Sequence, residues 1–125
     1  MTSPIDHKRA LLEDVLTDVS AWASKKPGHY GVEAKIHLAQ CKDALDVFIQ
    51  TGSPIHIETA IGHLGMALAW RAASGKTKLR DAIPQARAWL RGELDEITRQ
   101  AAEAHAAANP AHWSEGAGAQ EEQTA

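Results

Sequence analysis

The chain has 125 residues, enough for one hydrophobic core but not two, and its 44% apolar content comes with one Phe, one Tyr and few Val, a balance that favours helix over sheet. The net charge of −3 arises at the C-terminal end, with Glu115, Glu121 and Glu122; the 13 earlier acids match the 13 Lys and Arg, which argues against a broad basic face for extended nucleic acid. A lone cysteine, Cys41, excludes an internal disulfide and fits a reducing cytoplasm, and early charges (Asp6, Lys8, Arg9) with interruptions at His63 and Arg71 leave neither signal peptide nor transmembrane span to expect.

Four segments carry helical periodicity. The first opens on Ser3-Pro4-Ile5-Asp6, a hydroxyl N-cap followed by proline at the first helical position and an acid in the first turn. Leu12, Val15, Leu16, Val19, Trp22 and Ala23 recur at three- and four-residue steps, and Pro27-Gly28 stops the helix behind Lys25 and Lys26. The second runs from about Tyr30 to Thr51, with Ala34, Leu38, Cys41, Leu45 and Phe48 as its core stripe and Gly52 as a left-handed cap.

The third segment starts at Ser53-Pro54 and ends at Ser74-Gly75. One face carries Ile57, Ala60, Ile61, Leu64 and Leu68; the opposite side, with Gly62, Met66, Ala69 and Ala73, is apolar too. A helix that is hydrophobic nearly all round must be covered on both sides, so this segment is expected to be the central helix or part of an oligomer interface. The fourth begins after residues 76–81, with Pro84 in its first turn or at a kink. Its stripe is Ile83, Ala86, Leu90, Leu94, Ile97, Ala101 and Ala104; Arg91, Asp95 and Arg99 alternate in sign outside, and Asn109-Pro110 ends it. The sum is an all-α, antiparallel bundle of about four helices over residues 1–110, followed by a disordered acidic tail over 111–125.

Chemical motifs are sparse. Gly75-Lys76-Thr77 matches the end of a phosphate-binding Walker loop, but Trp70 stands where the pattern requires glycine, and a helix precedes it rather than a strand. What survives is a basic turn, Lys76, Lys78 and Arg80, ahead of the fourth helix, which either holds a phosphate or is simply solvated. His37 and Cys41 lie one turn apart, and His56 and His63 two turns apart, but loosely spaced ligands do not make a metal motif, and no metal is expected. Glu33, Asp43, Asp46 and Glu58 are spread around their helices, unlike the clustered acids of MazG-type pyrophosphohydrolases or the Glu-x-x-His pairs of di-iron bundles, so no enzyme and no cofactor is expected. The third segment also carries a polar line, His56, Thr59, His63 and Trp70 with Arg71 adjacent, suited either to hydrogen bonds with neighbouring helices or to stacking a base beside a phosphate.

On that segment, His63-Leu64, Ala67-Leu68, Trp70 and Ala73 resemble the core helix of phage-encoded anti-CBASS proteins, helical homo-oligomeric sponges for cyclic nucleotides; the likeness spans residues 44–74. It departs at Pro54, where the family has arginine, and at Arg71-Ala72, where an asparagine is expected. The resemblance implies sequestration without catalysis, with His63, Trp70, Arg71, Lys76, Lys78 and Arg80 as ligand residues. The sequence therefore predicts a non-catalytic interaction protein that self-associates through Gly62, Met66, Ala69 and Ala73, acting as a phage or bacterial inhibitor by protein contact. A nucleotide sponge is the alternative, and a pyrophosphohydrolase-like enzyme stands third.

Overall fold

Residues 4–108 are described by the computed structural model, and they form four helices: α1 (Pro4–Lys25), α2 (His29–Thr51), α3 (Ile55–Ala73) and α4 (Leu79–Ala108). There is no strand among the described residues, and the architecture is an all-α bundle. None of these helices is long and apolar enough to cross a membrane. The Ser3 cap, the Asn109-Pro110 stop and the tail over 111–125 lie outside the described residues.

The stops act as local chemistry dictates. Gly28 (φ +89°) turns the chain after α1, and Gly52 (φ +73°) closes α2 with its N–H on the Phe48 carbonyl at 2.7 Å. A residue with a Cβ adopts such angles only at a cost, whereas glycine does so freely. Ser74 ends α3, its hydroxyl donating to the Arg71 carbonyl at 2.6 Å. Ser53 gives α3 no side-chain cap; Pro54 occupies the cap position, its carbonyl accepting from Ile57 and Glu58. The fourth helix begins earlier than the sequence suggests, at Leu79, because the Lys78 carbonyl already accepts from Asp81 and Ala82, and Pro84 sits one turn deeper inside it.

Cross-helix contacts fix the directions. His37 meets His63 and His29 meets Trp70, so α2 and α3 are antiparallel. Arg91 meets Glu58 and Arg87 meets Met66, so α3 and α4 are antiparallel as well. The third helix packs on all three others, whereas α2 and α4 do not pack on each other. The bundle is thus compressed along its α1–α3 diagonal, which forces α2 and α4 apart.

The core is Leu12 and Val19 of α1, Leu38, Cys41 and Leu45 of α2, Ile57 and Leu64 of α3, and Leu90 and Leu94 of α4, all essentially without solvent contact. The stripe expected on α4 is only partly used: Ile97 and Ala101 are half-buried and Ala104 is exposed. At 1.5 Å per residue α4 is about 45 Å long against about 28 Å for α3, and its C-terminal turns overhang the bundle. The alternating charges also pair differently from expectation. Arg91 reaches across to Glu58 at 2.5 Å, and Arg99 takes Glu96 and Glu103 instead of Asp95. Half-exposed pairs of this kind contribute little, under about 1 kcal/mol each.

Two substitutions test this packing by urea denaturation. Leu64→Ala, at a fully buried position on the central helix, is expected to lower the unfolding free energy by about 2–5 kcal/mol. Gly31→Ala is expected to cost about 1–3 kcal/mol although it raises helix propensity, because its Cβ would fall well inside van der Waals contact with the Lys26 carbonyl oxygen. Wild-type stability in the Gly31 variant would mean that α2 does not approach the end of α1 this closely.

Candidate functional site

The seam between α2 and α3 is where polar and aromatic groups collect. On α3, His56, His63 and Trp70 recur at seven-residue steps, two helical turns each, so they share the side that faces α2. Their neighbours divide between water and core, with Ile55 exposed and Ile57 buried.

Across the seam, the rings of His37 and His63 stand 5.8 Å apart, tilted by 30°. Two turns further along, Trp70 receives edge-on contacts from His29 at 5.1 Å and Tyr30 at 5.9 Å. Two buried side-chain nitrogens have no hydrogen-bond partner among the described residues, His37 Nδ1 and Trp70 Nε1, and both belong to this seam. Burial holds His37 below the ordinary imidazole value of 6.5; the neighbouring His63 adds to the effect and Glu33 opposes it. Cys41, one turn beyond His37, is fully buried in the core, and burial pushes its thiol up to about 12. It is a space-filling apolar residue there rather than a thiolate ligand.

The residues expected to form a nucleotide site do not share a face. His63 and Trp70 look toward α2. Arg71 turns the other way, donating to Asp18 of α1 at 3.1 Å with its guanidinium 5.9 Å from the Trp22 ring. Lys76 and Lys78 are exposed in the turn between α3 and α4, and Arg80 lies beside Asp81 at 3.8 Å. The acids considered for metal chemistry are scattered likewise: Asp46 pairs with Lys42, Glu58 with Arg91, and Asp43 is exposed elsewhere on α2. No three His, Cys, Asp or Glu side chains converge among the described residues.

The row expected to form an interface divides in two. The expected residues, Gly62, Met66, Ala69 and Ala73, continue back to Thr59 and Ile55 at the same four- and three-residue steps, so all six lie along one side of α3, and Thr59 belongs with Gly62 rather than with the polar line of His56 and His63. Its C-terminal half is used inside the chain, with Ala69 and Ala73 buried. Arg87 of α4 lies alongside, its Cγ 3.2 Å from where a Cβ on Gly65 would sit and its guanidinium 3.9 Å from the Met66 sulfur. The N-terminal half is open: Ile55 is 66% exposed, Thr59 and Gly62 are exposed, and a Cβ on Gly62 would touch nothing. On neighbouring α2, Tyr30, Val32, Ile36 and Val47 are exposed too. Sequence reasoning missed Ile55 and the exposed side of α2; the continuation of the Gly62–Met66 spacing back to Ile55 was the signal for the first.

Because folding favours neutral His37, its contribution to stability is complete above pH 6.5 and is lost as the pH falls through its lowered value. The melting temperature should therefore fall between pH 7.5 and 5.5, and His37→Gln should flatten that dependence. An identical pH profile in the variant would remove His37 as the cause. Cys41 should resist thiol reagents until the chain unfolds.

No family model matches the chain, and no curated protein or solved structure matches it significantly, so what is inferred of its function rests on this geometry.

Proposed function

We propose that this chain is a non-catalytic helical interaction protein that pairs with a second copy of itself through the open half of the α3 row and the exposed side of α2. The observation that carries this is the set of large apolar side chains left in water there: Ile55 on α3, and Val32, Ile36 and Val47 on α2. Apolar surface of this kind gains about 25 cal/mol per Å² when covered. A face as long as α2 (about 35 Å) with the open half of α3 beside it spans on the order of 500 Å², toward the low end of the areas that specific pairs bury per partner. Gly62, with no side chain and open space before it, lets a partner helix approach closely. Covering a partner protein with such a face is also how a small phage or bacterial inhibitor would act.

The nucleotide-sponge reading has less behind it, since Arg71 lies about 100° around α3 from Trp70 and pairs with Asp18 of α1, and the lysines of the basic turn are solvated. Its distinguishing result is a rise in melting temperature with a cyclic nucleotide that Trp70→Ala removes.

Sedimentation equilibrium tests the preferred reading. The wild-type chain should be dimeric at micromolar concentration and Gly62→Arg monomeric, with an unchanged circular dichroism spectrum because the position faces open space in the single chain. A wild-type chain still monomeric at millimolar concentration would end the proposal.

A further inference from the structure

We propose that His37 and His63 form a two-imidazole clamp for a divalent transition-metal ion of the zinc, nickel or copper class, bridging α2 and α3. The rings come from facing helices and their centroids are 5.8 Å apart. A metal-bound imidazole nitrogen lies about 2.0–2.1 Å from the ion, which puts each ring centre about 3.2 Å away. Two such rings around one ion stand about 5–6 Å apart when the angle at the metal is tetrahedral or somewhat wider. The observed separation falls in that range.

Three further observations support the clamp. His37 Nδ1 is buried without a hydrogen-bond partner, so no neighbour competes for that nitrogen. Both rings are only half-buried, which leaves the seam reachable from water. The charged and titratable groups acting on His37 are His63 from α3 and Glu33 from α2; burial and His63 keep the ring neutral, the form that binds a metal, and Glu33 opposes them. Imidazole suits zinc, nickel and copper but not magnesium or calcium. With no third protein donor among the described residues, water completes the coordination, and the ion is exchangeable.

The full-length chain titrated with zinc chloride or nickel chloride at pH 7.5 tests this by calorimetry and thermal unfolding, with magnesium chloride as control. One ion per chain is expected, with a melting temperature raised by a few degrees at millimolar zinc and unmoved by magnesium. His37→Gln and His63→Gln should each weaken binding at least tenfold, whereas His29→Ala and His56→Ala should bind as wild type does. Binding should also weaken as the pH is lowered, because protons compete with the metal for the ring nitrogens. Absence of binding by the wild-type chain at millimolar zinc overturns the proposal, and so does wild-type affinity in the His37→Gln/His63→Gln double variant. The readout counts ions per chain, so it stands or falls separately from self-association.

Discussion

Everything in this fold follows from the position of α3. Its small buried residues, Ala60, Gly65, Ala67, Ala69 and Ala73, let neighbouring backbones come close on several sides at once. A helix in a square four-helix arrangement touches two neighbours and faces the third across the core. Here α3 also packs on α1, its diagonal partner, and α2 and α4 lose contact with each other as a result. The side of α3 opposite α1 is then left without a helix of its own chain to cover its N-terminal half. The open row of Ile55, Thr59 and Gly62 is a direct consequence of close packing elsewhere.

Polar satisfaction points to the same region. No polar or charged residue is wholly buried among the described residues, and the hydroxyls of Thr17, Ser24, Thr51, Thr59 and Thr98 each donate to a carbonyl one turn back. Against that background the two unpartnered nitrogens, His37 Nδ1 and Trp70 Nε1, stand on a single seam. Buried polar atoms usually find partners, and exceptions mark places where something besides folding has shaped the sequence. The ion pairs give no comparable signal, because they are exposed or half-exposed and spread over the surface.

Much of the fold was legible in the sequence because helix ends are decided locally. Pro27-Gly28, Gly52 and Ser74-Gly75 each stop the chain through backbone chemistry that involves a few neighbouring residues. The apolar stripes of α1, α2 and α3 were equally legible, since period alone sets which side is buried. What periodicity does not contain is which faces meet. Arg71 follows Trp70 in sequence, but a step of about 100° around the helix carries it to α1 while Trp70 goes to α2. Arg91 likewise found Glu58 on another helix rather than a partner four residues away. The candidate site suffers most from this, because a ligand site is a statement about juxtaposition.

The same geometry separates the two kinds of binding that the sequence left side by side. The cations of Lys76, Lys78 and Arg80 sit in water, where each is already hydrated and where an isolated charge contact returns under about 1 kcal/mol. The apolar groups of Ile55, Val32, Ile36 and Val47 are in water as well, but they have no favourable hydration to lose. Because these side chains are already partly covered, burying the rest of each contributes roughly 1 kcal/mol, and two or three together outweigh what the basic turn can offer. Gly62 adds to this by removing the side chain that would hold a partner off, in a helix interior where glycine costs about 1 kcal/mol relative to alanine and nothing within the chain needs the space. Gly92 in α4 has the same open space, so it is the position of Gly62 beside Ile55 and Thr59, rather than the missing side chain alone, that the proposed pairing uses.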